Sequence, residues 1–261
     1  MNQEDARGAG ELSRRRHRLA DIVVERGSVQ VEELVGELGV SAMTVYRDLA
    51  ALEQLGLLAR SRGTVTSVVT SLVEASAAYR LARDTAVKDQ LGTVAASLVP
   101  PDSVLMLDDS TTGLHVLRAL GDTSGLTVIT HSQFVATEAQ GMDGVRLHMV
   151  GGRWTAWAQA YHGPATVAAL RELSADCCVM SATAIWDDAM HHPDGDVTEI
   201  KRTMLARSVR KILVVDSSKF ARRAMHRVAD LAQVDDIVVP SSLPEERVDH
   251  LRDLGLRVHL A

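Results

Sequence analysis

Four short polar stretches in the second part of the chain each follow a predicted apolar strand. They are Asp108-Asp109-Ser110-Thr111-Thr112-Gly113, Thr130-His131-Ser132, Gly151-Gly152 and Asp216-Ser217-Ser218-Lys219-Phe220. Hydroxyl and backbone N–H groups at a helix start bind anions, and glycine lets a backbone approach a ligand closely. A single Ser-Thr-Thr run is more typical of a helix cap. Four such stretches on one edge of a sheet indicate a pocket for a phosphorylated polyol.

A second chemical pattern lies near the N-terminus, where arginine and small polar residues meet at the start of a predicted helix. Ser41 can cap this helix by accepting a hydrogen bond from the backbone N–H of Thr44. Arginine and small polar side chains suit contacts with DNA phosphates and base edges. The candidate DNA-contacting residues, including two arginines of a predicted hairpin, are Ser41, Met43, Thr44, Tyr46, Arg47, Arg60 and Arg62. A small helical cap or dimerisation module would show the same amphipathic pattern.

The elements that position this second group predict a winged helix-turn-helix. Apolar spacing indicates helices over about Leu12–Arg26 and Val31–Leu38, and Gly39 permits a tight turn before the third helix. Strands at Leu57–Arg60 and Thr64–Val68 can then pair about Gly63 as a wing. An arginine cluster (Arg14, Arg15, Arg16 and Arg18) lies in the first helix. Leu72 to about Leu98 is predicted to be one helix, which serves as a connector and oligomer surface.

From Pro100 onward, short apolar strands alternate with helices. The predicted strands are Val104–Leu107, Leu126–Thr130, Val145–Val150, Cys177–Ser181, Ile212–Val215, Ile237–Val239 and Leu256–Leu260. The predicted helices lie near Thr111–Leu120, Gln133–Gly141, Pro164–Leu173, Val197–Ser208 and Pro244–Leu254. This alternation predicts a mostly parallel sheet with both faces covered, and ligands in such sheets bind beyond the carboxyl ends of the strands.

The predicted fold class is therefore α/β, with an N-terminal winged helix-turn-helix and a larger Rossmann-like domain with a mostly parallel sheet. We expect a winged helix-turn-helix DNA-binding domain at residues 12–70, a helical linker at 71–99 and an α/β effector-sensing domain at 100–261.

Composition excludes several classes of protein. The chain has 261 residues, a net charge of -6, 46% hydrophobic and 24% charged residues, which is an ordinary globular balance. It contains no apolar run of about 18 residues, and its polar start, Met1 to Gly10, does not predict a secretory signal. We therefore expect a cytoplasmic protein without a membrane partner.

The remaining candidates for metal or redox chemistry favour structural roles. The adjacent cysteines Cys177 and Cys178 exclude a disulfide framework and a CxxC pair, and their apolar strand predicts buried packing. His191-His192, which lies among acidic residues from Asp187 to Asp196, is interpreted as a mobile acidic loop. Trp154 and Trp157 can line either the pocket or an oligomer face. No metal or cofactor is expected.

The N-terminal motifs resemble the DeoR family of bacterial transcription regulators. The matching residues are Val40-Ser41, Thr44-Val45-Tyr46-Arg47-Asp48-Leu49, Leu52-Glu53, Gly56 and Arg60. The family usually has two arginines where this chain has Tyr46-Arg47, and a His-Gly-Gly-Ala wing where it has Ser61-Arg62-Gly63-Thr64.

The second part resembles the sensor domain of the same family, with its motifs in the same order. The family pattern is Asp-Ser-Gly-Thr-Thr, Thr-Asn-Ser, Gly-Gly and Asp-x-Ser-Lys-Phe, and Lys88, Glu199 and Lys201 also fall in family positions. Ser110 replaces the family glycine and His131 the family asparagine. The resemblance implies a fold like the sugar-phosphate isomerases, used for sensing. The effector-binding residues that we predict are Asp108, Ser110, Thr111, Thr112, His131, Ser132, Gly151, Gly152, Lys201 and Lys219.

Two functions remain open at this point. The first is a repressor that binds a double-stranded DNA operator as a homodimer or higher homo-oligomer and is released by a phosphorylated sugar or related metabolite. The second is a sugar-phosphate isomerase with an added helical module, in which Asp108 or Asp216 is the base. A winged helix-turn-helix DNA-binding domain has no role in a simple metabolic enzyme, so we favour the regulator and expect no catalytic residues.

Overall fold

The computed structural model describes residues 12, 15, 16, 18–24 and 26–261, which divide into two compact units between Arg83 and Asp84. Arg14 and parts of the predicted first helix lie outside the described residues. Residues 18–24 are helical and form α1. The next elements are β1 (Ser28–Gln30), α2 (Val31–Leu38), α3 (Ala42–Gln54), β2 (Leu58–Ser61) and β3 (Thr64–Ser67).

Local capping chemistry produces the turn between α2 and α3. Gly39 adopts a left-handed φ of 63° after α2, a conformation that glycine adopts without steric cost. Ser41 caps α3, because its Oγ accepts a hydrogen bond from the Thr44 backbone N–H at 3.2 Å. The predicted helix-turn-helix is confirmed in these details. The strands pair in the order β1-β3-β2, so β1 adds a third strand to the predicted wing. β1 has only three residues, which are too few for a strand to be predicted from the sequence.

The core of the first unit contains the inward faces of all three helices. Leu19, Leu34, Val45 and Leu49 are fully buried. Asp48 of α3 is buried beside them, and its carboxylate accepts hydrogen bonds from Arg15 at 2.6 Å and Arg16 at 2.9 Å. Two arginines of the N-terminal cluster therefore neutralise a buried carboxylate.

The prediction of one helix from Leu72 to Leu98 is wrong. The segment contains α4 (Ala77–Ala82) and α5 (Thr85–Ala96), while Thr70 and Val73 pair in a short bridge before them. Arg83 has an extended backbone and Asp84 a left-handed φ of 52°, so the helical hydrogen bonds break there. Helix α4 belongs to the first compact unit and helix α5 to the second.

Residues 84–261, all of which the structure describes, contain a seven-stranded sheet in which every neighbouring pair is parallel. Its strands are β4 (Val104–Leu107), β5 (Thr127–Thr130), β6 (Arg146–Met149), β9 (Ala175–Met180), β12 (Ser208–Val214), β14 (Asp236–Val239) and β15 (Arg257–Leu260). The order is β15-β14-β12-β9-β4-β5-β6, so the chain reverses its direction of travel between β4 and β9. All seven predicted strands are confirmed.

The five predicted helices of this unit are also confirmed. They are α6 (Thr111–Ala119), α7 (Gln133–Gln140), α8 (Pro164–Arg171), α9 (Gly195–Ala206) and α10 (Glu245–Asp253). Buried side chains of α8, α9 and α10 join the strands in one apolar cluster, whereas α5 packs on α6. Cys177 and Cys178 are fully buried in β9 as expected, and burial raises the pKa of the Cys177 thiol to about 12.

Two groups of short strands were not predicted. β7 (Arg153–Thr155) pairs with β8 (Ala160–His162), and β10 (Ala184–Trp186) pairs with β11 (Ala189–His192), which pairs with β13 (His226–Asp230). The interpretation of residues 187–196 as a mobile acidic loop is therefore wrong. His191 and His192 are buried in β11, and Asp194 caps α9 by accepting a hydrogen bond from Val197 N at 3.0 Å.

The close approach of α5 to α6 yields a stability prediction. A Cβ at Gly92 would lie 2.7 Å from the backbone C and O atoms of His115, so one helix would have to move. Gly92→Ala should therefore destabilise the protein by about 1–3 kcal/mol. Gly36→Ala in α2 is the control, because its Cβ would meet nothing within 4 Å, and it should stabilise by about 0.5–1 kcal/mol. Denaturant unfolding measures both, and a neutral Gly92→Ala would contradict the close packing.

Candidate functional site

The exposed face of α3 carries most of the side chains predicted to contact DNA. Ser41, Met43, Tyr46 and Arg47 are exposed, and Met43 is 70% accessible to solvent. Thr44 is half-buried, and its hydroxyl lies 2.9 Å from Ser41 Oγ, which leaves it partly engaged in the cap. The structure thus gathers these residues on one surface of the first unit.

The two wing arginines differ in their surroundings. Arg60 on β2 forms an ion pair with Glu53 at 2.9 Å, and its guanidinium lies 5.3 Å from the ring centroid of Tyr46. Arg62 is exposed in the turn between β2 and β3, with a left-handed φ of 49°. Arg60 therefore braces the face of α3, whereas Arg62 projects from the tip of the wing.

In the second unit, a buried ion pair spans the point where the strand order reverses. Asp108, directly after β4, pairs with Lys201 Nζ of α9, and both side chains are at most 5% exposed. Lys201 Nζ also donates to the Ser181 carbonyl at 3.0 Å, while Asp108 Oδ2 accepts from Ser181 N at 3.2 Å. Two predicted site residues thus bind each other and join the ends of β4 and β9. Ligands of open parallel sheets bind at such reversal points.

The start of α6 lies beside this pair. Ser110 N donates to Asp108 Oδ1 at 3.0 Å, and Ser110 Oγ accepts from Gly113 N at 3.0 Å. Ser110 therefore caps α6 and uses one of the N–H groups that a helix start offers to an anion. Thr111 and Thr112 are buried in the same turn.

The carboxyl end of β5 contributes His131 and Ser132, and the β7–β8 hairpin brings His162 next to them. The ring centroids of His131 and His162 are 5.6 Å apart, and His162 Nε2 lies 3.8 Å from Asp109 Oδ2. His131 Nε2, Ser132 Oγ and His162 Nε2 are buried, and none has a hydrogen-bond partner among the described residues. Sequence reasoning missed His162, because no motif surrounds it and only the hairpin places it here.

The two glycines after β6 have different environments. A Cβ at Gly152 would lie 2.0 Å from Thr166 Oγ1 and 2.9 Å from the His162 carbonyl oxygen, whereas one at Gly151 would meet nothing within 4 Å. Thr166 Oγ1 also donates to the Gly151 carbonyl at 2.9 Å. The close approach at Gly152 is thus made by the chain itself, while Gly151 lies beside open space.

Lys219 lies in a short 3-10 helix, Ser217–Ala221, beyond β12. Its Nζ is 3.7 Å from Asp216 Oδ2, and Asp216 Oδ1 accepts a hydrogen bond from Ser218 N at 2.8 Å. Burial by itself raises the pKa of Asp216, but Lys219 and the Ser218 hydrogen bonds outweigh it and hold that pKa below its usual value. Asp216 is therefore a poor general base, and the Asp108 carboxylate is occupied by Lys201 and the Ser181 N–H.

Within the described residues, no three His, Cys, Asp or Glu side chains are arranged to ligate a metal ion. No described helix combines the length and apolar character that crossing a bilayer requires.

Comparison with known sequences decides the family. The DeoR-like helix-turn-helix domain matches residues 15–71, and the DeoR C terminal sensor domain matches residues 83–241. The chain belongs to the DeoR family of transcriptional regulators. Its role is thus regulatory rather than enzymatic, and the family resemblance of both units is confirmed.

Relatives of this DeoR-family chain match it over nearly their whole length. The uncharacterized HTH-type transcriptional regulator YgbI of Escherichia coli (strain K12) is 31% identical over 94% of this chain and 96% of that protein. The glycerol-3-phosphate regulon repressor of the same strain is 27% identical over 95% of this chain and 98% of that protein. Ribose 5-phosphate isomerase A of Methanocaldococcus jannaschii is similar over 52% of this chain and 55% of that one, with 16% identity and a TM-score of 0.39.

Proposed function

We propose that this DeoR-family regulator is a repressor that binds a double-stranded DNA operator as a homodimer or higher homo-oligomer. A phosphorylated sugar or related metabolite binds at the carboxyl edge of the parallel sheet and releases the DNA. The first unit contacts DNA through the exposed face of α3 and through the wing, with Arg47 and Arg62 as the cationic contacts.

The effector site is supported chiefly by the location of its residues at the reversal point between β4 and β9. The N-terminus of α6, the Asp108–Lys201 pair and the end of β5 meet there. The helix start offers backbone N–H groups to a phosphate, and Lys219 adds a cation at the end of a strand of the same sheet. One relative is named a repressor of the glycerol-3-phosphate regulon, which agrees with a response to a phosphorylated polyol.

Regulation follows from the geometry of two winged helix-turn-helix domains bound to one DNA duplex. A dimer places its two recognition helices in successive major grooves, about 34 Å apart. An effector that changes this spacing weakens DNA binding, and linkage requires DNA to weaken effector binding by the same factor.

A panel of triose, pentose and hexose phosphates tests the proposal on the full chain. At least one member should raise the melting temperature, and the same member should weaken operator binding by about 5-fold to 150-fold. Lys219→Ala should weaken binding of that member by about tenfold and leave DNA affinity unchanged, because it removes one charge-assisted contact. Lys211→Ala, in the middle of β12, is the control. A panel without any thermal shift, or an effector that does not alter DNA affinity, would overturn the proposal.

A further inference from the structure

We propose that His131, Ser132 and His162 form a subsite of the effector pocket that binds hydroxyl groups of the effector's carbon chain. This inference rests on the proposed function and specifies which part of the ligand lies where. We call these three residues the imidazole subsite. We assign the phosphate group to the neighbouring helix start of α6, which follows Asp109.

The first argument is the set of buried polar atoms without partners. The side chains of His131, Ser132 and His162 are at most 1% exposed, and each has an N or O atom without a hydrogen-bond partner among the described residues. A buried polar group without a partner costs about 1–3 kcal/mol, so three such atoms in one place are a specific sign of a ligand.

The second argument is that the hairpin holds these atoms in position. Tyr161 N donates to the His131 carbonyl at 2.9 Å, and Gln133 N donates to the Gln159 carbonyl at 2.9 Å. These bonds fix β8 against the end of β5, which sets the two imidazoles beside each other. Backbone hydrogen bonds therefore set the positions of the two imidazoles.

The third argument concerns which hydrogen-bonding partner fits. His131 Nδ1 lies 3.0 Å from the Tyr161 carbonyl oxygen, which can only accept, so Nδ1 carries the proton and Nε2 offers a lone pair. Burial lowers the pKa of His131, which keeps this imidazole neutral at neutral pH. Its partner must then be a donor, and a sugar hydroxyl donates whereas a fully ionised phosphate does not.

The fourth argument concerns the groups beside His162. The carboxylate of Asp109 lies 3.8 Å from His162 Nε2 and can accept a hydrogen bond from a ligand hydroxyl beside that imidazole. The Trp157 ring lies edge-on to His162 with centroids 6.1 Å apart and adds an aromatic wall. An acceptor-rich site with an aromatic wall suits the carbon chain of a polyol.

Imidazole nitrogen NMR of the full-length wild-type chain, with xylitol and inorganic phosphate as separate probes, tests the assignment. Xylitol should shift the Nε2 resonances of His131 and His162, because its hydroxyl groups hydrogen-bond to these nitrogens. Inorganic phosphate should instead shift the backbone amides of Thr111 and Thr112. Shifts of the imidazoles by phosphate alone, or no imidazole shift with xylitol, would overturn the proposal.

A variant pair provides the second readout. His162→Phe keeps the ring volume and removes the polar atoms, so it should weaken xylitol binding by about tenfold and change phosphate binding less than about twofold. His148→Phe, at an exposed histidine of β6, is the matched control. Unchanged xylitol binding by a folded His162→Phe variant contradicts the subsite. If that variant does not fold, the wild-type titration decides alone.

These outcomes are separable from those of the proposed function. The NMR titration contains no DNA, so the subsite can be confirmed even if no sugar phosphate releases the operator. Conversely, release of DNA by a sugar phosphate without any imidazole shift would retain the repressor and reject the subsite.

Discussion

Replacing Arg47 by alanine should weaken operator binding by about 5-fold to 150-fold for each half-site, because each copy loses a cationic contact worth about 1–3 kcal/mol. Arg47 is exposed on α3, next to Tyr46 and on the same face as Met43. Its removal disturbs no core packing, so the melting temperature and effector binding should not change.

Fluorescence anisotropy at one fixed salt concentration measures this effect, with an operator selected from random duplexes. Arg171→Ala is the matched control, since Arg171 is an exposed helical arginine of the second unit. Tyr46→Ala gives a further comparison, because it removes the ring against which the Arg60 guanidinium lies. Normal operator affinity of Arg47→Ala would show that another surface reads the DNA.

Lys201→Met should destabilise the second unit by about 3–5 kcal/mol, because it leaves the Asp108 carboxylate buried without its cation. Asp108 is completely buried and Lys201 nearly so, and both also hydrogen-bond to the backbone of Ser181. The pair connects β4, β9 and α9, so its loss affects the middle of the sheet.

Denaturant unfolding followed by tryptophan fluorescence measures this cost, since Trp154, Trp157 and Trp186 all lie in the second unit. Asp108→Asn combined with Lys201→Met should recover part of the loss, because no buried charge remains. Lys219→Met is the control, with a more exposed side chain and a cost of at most about 1 kcal/mol. Equal costs for Lys201→Met and Lys219→Met would contradict a tightly buried pair.

Sequence by itself determined the elements whose signals are local. The central strand β4 is a continuous apolar run because helices cover both faces of its sheet, and the helices of both units have apolar faces with a period near 3.6 residues. Gly39 and Ser41 specify the turn before α3 through backbone freedom and side-chain capping, which involve neighbours in the chain. The motifs also occur in the same order as in the DeoR family, and this order indicated the family.

Only the tertiary structure decided which polar groups meet. The strands β7, β8, β10 and β11 are three or four residues long, too short for a periodic signal, so they were not predicted. His162 reaches His131 through the β7–β8 hairpin, and Lys201 reaches Asp108 across 93 positions of the chain. Arg15 and Arg16 pair with Asp48 in the same way. Such contacts depend on the relative placement of whole elements, which packing determines and local sequence does not encode.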